Sequence, residues 1–145
     1  MSIFSSMNIS ASGMTAQRFR TDVIAQNIAN VNTTRTEEGG AYRRKTVVFS
    51  EKSSSSFGSV LQGAMGTSSG GVKITAVTED TSTAMKLVYD PSHPDANEEG
   101  YVEYPNVDSV TEMTNLIDAS RSYEANVTAF NATKQMALKG IEVGK

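Results

Sequence analysis

The chain has no cysteine, no tryptophan and a single histidine. Without thiols there is no disulfide, no thiolate zinc site, no iron–sulfur cluster and no cysteine nucleophile. A serine–histidine enzyme would have to be built around His93 or not at all. Long apolar runs are missing as well. None exceeds three residues, as in Val47-Val48-Phe49, so nothing reads as a membrane span. No cationic stretch followed by an apolar block opens the sequence, so no cleaved secretory signal is expected. Aromatics are 7% and apolar residues 38% of the 145 residues, thin material for a large self-sufficient core. The net charge of −3 argues against a generic nucleic-acid binder.

Ser, Thr and Asn are abundant, at 29% of the chain. They offer the backbone many local alternatives to regular structure. Charge divides the sequence: residues 1–50 carry +3, residues 51–107 carry −5 and residues 108–145 carry −1. All three prolines and the run Ser53-Ser54-Ser55-Ser56 lie in the middle. The punctuation is central and the ends are nearly free of it, the reverse of an ordinary domain. Three segments follow: an N-terminal assembly helix over 1–33, a central β-hairpin and loop region over 34–107, and a C-terminal assembly helix over 108–145.

At the N-terminal end Met7, Met14, Thr21 and Ile28 recur every seven residues, with Ala11, Ile24, Ala25 and Val31 in the adjoining stripe. This predicts a helix near residues 3–31. Gly13 costs that helix about 1 kcal/mol relative to Ala, which close approach of another backbone would explain. The helix is expected to fail near Asn30-Val31-Asn32-Thr33-Thr34, where Asn and Thr compete for the backbone.

The second helix is announced by Ser109-Val110-Thr111-Glu112, which fits a capping box, and by Asp108 at the positive end of its dipole. Its stripe runs Met113, Leu116, Ser120, Tyr123, Val127, Phe130, Lys134 and Ala137, widened by Ile117 and Leu138, with a stop offered at Gly140. Thr21 and Gln17 interrupt the first stripe, Ser120 and Lys134 the second. Neither helix is apolar enough to stand alone, so each needs a partner. Between them, strands are expected at Tyr42–Phe49, Val72–Thr78, Met85–Tyr89 and Tyr101–Tyr104, with the second and third forming a hairpin across Glu79–Thr83. The predicted fold class is α+β: long terminal helices paired as an antiparallel, coiled-coil-like hairpin around a small β segment of three to four strands.

The search for chemistry is short. The glycine-rich stretch Gly63–Gly71 lacks the Gly-Lys-Ser/Thr ending of a phosphate loop and is followed by a strand pattern. His93 lies between Asp90 and Asp95 in a turn stiffened by Pro91 and Pro94, without a second histidine to complete a zinc site. Arg43-Arg44-Lys45 has no series of stacking aromatics around it, and docking onto an acidic protein surface suits it better than nucleic acid. No catalytic residue, metal or cofactor is therefore expected. What remains is two weakly apolar helices whose polar stripe positions set register at a cost in stability, as in a subunit made to assemble.

The residues also carry a resemblance. Ser12-Gly13-Met14-Thr15-Ala16-Gln17 and the run Asp22–Thr33, with its Asn27-Ile28-Ala29-Asn30 core, are similar to the N-terminal signature of bacterial flagellar rod and hook proteins. Many members continue Thr-Pro-Gly-Tyr. This chain instead runs Thr33–Lys45 through a longer turn, which resembles the proximal rod members, as do Tyr89–Asp95 and Gly100–Asp108. Ser120–Asn126 looks like the family's C-terminal helix. The resemblance implies a non-enzymatic subunit of the periplasmic rod of the flagellar basal body, exported unfolded through the flagellar type III apparatus. It implies as partners further copies of the chain, the other proximal rod proteins and the export-gate adaptor at the rod base. The alternative is a secreted helical adhesin or effector-like binding module.

The residues expected at subunit interfaces are Met7, Ala11, Gly13, Met14, Ile24, Ile28, Asn30 and Val31 on the first helix. The cations Arg43, Arg44 and Lys45 follow in the middle. On the second helix they are Met113, Leu116, Ser120, Tyr123, Val127, Phe130 and Leu138.

Overall fold

A computed structural model of the chain describes residues 3–37, 39–52, 61 and 70–144. The serine run at 53–56 and most of the glycine-rich stretch lie outside them. Two long helices, α1 (Ile3–Ala29) and α2 (Ser109–Val143), flank four strands: β1 (Lys45–Glu51), β2 (Val72–Glu79), β3 (Lys86–Tyr89) and β4 (Tyr101–Tyr104). The chain divides into two compact units, each drawn from distant parts of the sequence. One comprises Met1–Phe19, Val48–Ala76 and Asp118–Lys145, the other Arg20–Val47 and Val77–Ile117.

Helix α1 ends where Asn and Thr were expected to win the backbone. The Asn30 amide donates to the Gln26 carbonyl at 2.9 Å, and the Thr33 hydroxyl donates to the Asn30 side-chain oxygen at 3.1 Å. Helix α2 starts on a different cap from the predicted box. The Asp108 carboxylate accepts the Val110 N–H at 2.9 Å, while the Asp108 carbonyl accepts the Glu112 N–H, also at 2.9 Å. Asp108 is thus the N-cap, and it releases the Glu112 side chain to turn inward. Gly140 does not stop the helix, which runs on to Val143 with a Lys139–Glu142 ion pair spanning the glycine.

The sheet differs from expectation in its pairing. β1 pairs with β2 and β3 with β4, giving two separate two-stranded sheets. The expected β2–β3 hairpin is absent because the intervening turn is tied up locally. The Asp80 carboxylate accepts four hydrogen bonds from the N–H and hydroxyl groups of Ser82 and Thr83. These bonds favour the ionised form and hold its pKa well below the usual carboxylate range. The Asn106 amide then donates to the Asp80 and Thr83 carbonyls, which occupies those two acceptors. β1 begins at Lys45 and not at Tyr42, since the Arg44 N–H goes to the Asn106 side chain and the Tyr42 N–H to the Thr33 carbonyl. The chain reverses between α1 and β1 at Gly39 and Gly40, with φ of 89° and 80°, the left-handed region that paired glycines favour.

Candidate assembly surface

Each unit joins the two helices through polar or small residues. In the second unit, Asn27 at the end of α1 is fully buried, and all four of its side-chain hydrogen-bonding positions are used. Its amide nitrogen donates to the Lys45 carbonyl at 2.8 Å and to the Glu112 carboxylate at 2.9 Å. Its oxygen accepts the Tyr42 hydroxyl at 3.0 Å and the Lys45 N–H at 2.9 Å. Glu112, also fully buried, takes Nε and Nη2 of Arg44 on one oxygen, each at 2.8 Å. Two buried polar groups would be costly here if unpaired, but both are satisfied. Val23, Ile24, Val102 and Val107 are buried apolar residues of the same unit. Burial raises the pKa of the Tyr42 hydroxyl above its ordinary 10.0, and the carboxylates of Glu79 and Glu112 push the same way.

In the first unit the helices meet through smaller groups. Ala16 and Ala119 are buried, with Ser10 and Thr133. A Cβ on Gly13 would lie 2.7 Å from the Asn126 side-chain oxygen. The close approach expected at Gly13 is therefore real, but its neighbour is a side chain of α2 in the same chain and not another backbone.

These contacts reveal which face of α2 turns inward. Glu112, Ala119, Asn126 and Thr133 recur every seven residues on α2; three are buried, and Asn126 lies against Gly13. The apolar stripe read from sequence sits elsewhere. Met113, Ser120, Tyr123 and Leu138 are exposed, while Leu116, Val127 and Phe130 are half-buried. On α1, Ile24 is buried, and Met7, Ala11, Gly13, Met14, Ile28, Asn30 and Val31 are half-buried. The inner face of α2 selects for close approach and hydrogen bonding, so hydrophobic periodicity points to the outer one. Val110, Met113 and Ile117, spaced by three and four, are 73%, 53% and 53% exposed. These three residues form an exposed apolar line along α2.

The cationic triplet is split. Arg43 is exposed, Lys45 is half-buried with its ammonium 4.0 Å from Glu79, and Arg44 is committed to Glu112. Arg44 is thus a core cation, which strand alternation did not reveal. The missed residues are Asn27, Asn106 and the inward role of Glu112. Asn27 had one visible signal: it opens the Asn27-Ile28-Ala29-Asn30 core. His93 occupies a turn, its Nδ1 accepting the Asp95 N–H at 3.1 Å and its ring tilted against Tyr104.

With this geometry in place, the comparisons with known proteins are direct. The family described as flagella basal body rod protein matches residues 7–35, covering Gly13 and Asn27. The C-terminal family of flagellar basal body rod FlgEFG proteins matches residues 98–143, covering Glu112 and the α2 seam. Among curated proteins, the flagellar basal-body rod protein FlgC of Bacillus subtilis is 51% identical over the full length of both chains. That of Borreliella burgdorferi is 45% identical over 99% of this chain and 98% of its own. That of Escherichia coli O157:H7 is 41% identical over the whole of both.

Proposed function

The chain belongs to the FlgC family of flagellar basal-body rod proteins, and on that premise we propose that it builds the proximal rod by packing its terminal helices against those of neighbouring subunits. It is a structural subunit of the proximal rod. The single observation that carries this is full-length identity, reaching 51%, to relatives named as rod proteins. Those relatives are named for a structure and not for a reaction, and no catalytic role is proposed. The adhesin alternative has no comparable support.

The finer reading concerns how the subunit assembles. The helices pair as an antiparallel hairpin in each subunit. Supporting this, Gly13 lies against Asn126 within one unit, and Asn27 is hydrogen-bonded to Glu112 within the other. The inner seam is polar and close, which leaves the outer apolar line of Val110, Met113 and Ile117 for other subunits. Segments 1–33 and 108–145 serve assembly, and 34–107 decorates and spaces them. Proposed partners are further copies, the other proximal rod subunits and the export-gate adaptor at the rod base. The flagellar type III apparatus delivers the chain to the periplasm without a cleaved signal. Among the described residues no helix is long and apolar enough to cross a membrane.

The test is complementation. In a strain lacking the gene, the wild-type chain restores motility and is found in purified basal bodies. A Met113→Asp, Ile117→Asp variant is exported but absent from them. Incorporation of that variant at the wild-type level overturns the helix-packing reading.

A further inference from the structure

The outward face of the β3–β4 hairpin is exposed at Leu87, Tyr89 and Tyr101. The register sets Leu87 opposite Glu103 and Tyr89 opposite Tyr101, so these four side chains share one face. The opposite face holds Val88 and the fully buried Val102, which fixes the first face as the outer one. Leu87 is 62% exposed and Tyr89 65%. Despite this exposure the aromatic pair is ordered. The two tyrosine rings meet edge to face at 5.3 Å, and Tyr89 lies so close over Gly100 that a Cβ there would sit 2.9 Å from its ring. An exposed, pre-organised aromatic pair is what a binding hot spot requires, because little ordering remains to be done on contact. Beside it, Tyr101 and Glu103 line a cleft of about 410 Å³ together with Ala41, Pro94 and Asp95.

The charge around this ledge has one sign. Residues 84–107 hold five carboxylates against one lysine, and Lys86 turns its ammonium to the Val107 carbonyl at 3.0 Å. Arg35, at the cleft, is paired with Asp95 at 3.7 Å. Glu103, Glu98 and Glu99 are exposed and take part in no ion pair among the described residues. A fitting partner presents an aromatic side chain flanked by unpaired cations. The chain contains one. From Ile3 to Thr21 helix α1 carries Arg18 and Arg20 and no carboxylate, Asp22 being its first. Arg18 and Phe19 are both exposed, and neither arginine is ion-paired among the described residues.

We propose that this ledge and cleft receive α1 of a second copy of the chain, with Phe19 entering the cleft against Tyr101 and Arg18 facing Glu103. The guanidinium can lie on the tyrosine faces as well as beside the carboxylate. The contact rests on the self-assembly reading above but adds a pairing of surfaces that the helix stripes do not specify. It joins unlike surfaces, so it propagates from copy to copy and does not close as a symmetric dimer.

The absence of native cysteine makes the test clean. Tyr101→Cys and Phe19→Cys chains are co-expressed in a strain lacking the gene, basal bodies are purified, and oxidised samples are run without reductant. A disulfide-linked dimer that requires both variants is expected. Basal bodies that contain both variants but give no mixed dimer, or that link Phe19→Cys copies only to each other, overturn the proposal while leaving the rod assignment untouched. Absence of the wild-type chain from basal bodies would strike the assignment itself. If the cysteine variants fail to incorporate, charge exchange decides. Glu103→Arg and Arg18→Glu each lower incorporation about tenfold, and the double exchange restores most of it. Failure of the double variant to exceed the singles sinks the pairing.

Discussion

The amide of Asn27 donates to the carboxylate of Glu112 at 2.9 Å, across 85 positions of sequence and in a place where neither residue is exposed. The contact joins the end of one helix to the start of the other, and Arg44 supplies the countercharge. Glu112→Ala removes an acceptor from both Asn27 and Arg44 and leaves a largely buried cation unpaired. The expected loss is about 3–5 kcal/mol, the range for breaking one side of a buried pair. Glu112→Gln retains an acceptor and should lose less than half of that. Urea midpoints of the purified chain check both, and equal losses would show that the negative charge, and not the retained acceptor, carries the contact.

Tyr42 gives the fold an alkaline limit. Its folded pKa is raised above 10.0, first by burial and then by Glu79 and Glu112. Below pH 10 both folded and unfolded chains hold the proton, and the stability is fully present. As pH rises from 10 through the folded value, the unfolded chain ionises first and stability is lost. Tyr42→Phe loses one hydrogen bond to Asn27, about 1 kcal/mol at neutral pH. It should lose less additional stability than wild type between pH 9 and pH 11. Parallel slopes for the two proteins would place the alkaline sensitivity in other tyrosines.

Gly13→Leu should fail to enter basal bodies, because a Cβ already meets Asn126 at 2.7 Å. The change raises helix propensity by roughly 0.8 kcal/mol, so intrinsic helix weakness is not the cause. Adding Asn126→Ala to Gly13→Leu opens the space and should recover part of the incorporation. If the double variant does no better than the single, the obstruction lies with another subunit.

The triplet at 43–45 splits into two tests. Arg44→Glu sets two carboxylates together in the core and should prevent folding, read as proteolysis in the cell. Arg43→Glu touches no core group and should leave the urea midpoint within about 0.5 kcal/mol of wild type. It should still lower incorporation into basal bodies. Unchanged incorporation would mark Arg43 as an ordinary solvated side chain.

His93→Ala removes the acceptor for the Asp95 N–H, at 3.1 Å, and the ring beside Tyr104, in a turn that keeps two prolines. Motility and incorporation should stay at wild-type levels, with a stability change of about 1 kcal/mol or less. Loss of motility at normal protein level would give the histidine a role beyond the turn.

Much of the architecture was legible because it follows local rules. Both helices, the failure of α1 at Asn30 and the strand positions come from periodicity and propensity. What stayed hidden depends on partners distant in sequence. Ser109–Glu112 reads as a capping box only until Asp108 takes the cap and Glu112 finds Asn27. Val72–Thr78 and Met85–Tyr89 read as a hairpin until β1 and the Asp80 turn claim their groups. The α2 stripe read from the sequence does not mark the seam with α1, for a related reason. A periodicity scale rewards Met113 and Ile117, whereas the inner seam is made of Glu112, Ala119 and Asn126, whose fit is a matter of size and hydrogen bonding.

Neither compact unit is made from a contiguous stretch. Each needs residues from the first part of α1 or its end, from the middle of the chain, and from α2. A chain arriving in sequence order therefore has nothing to close upon until its last quarter appears. Asn27 waits for residue 112, and Gly13 waits for residue 126. The loop-closure entropy of bringing such distant partners together is met late and all at once, so folding is slow to start and coupled to the arrival of the far end. The same arrangement makes the fold conditional on its C-terminal helix: a chain truncated before Glu112 keeps Asn27 and Arg44 but has lost the carboxylate that pairs with both.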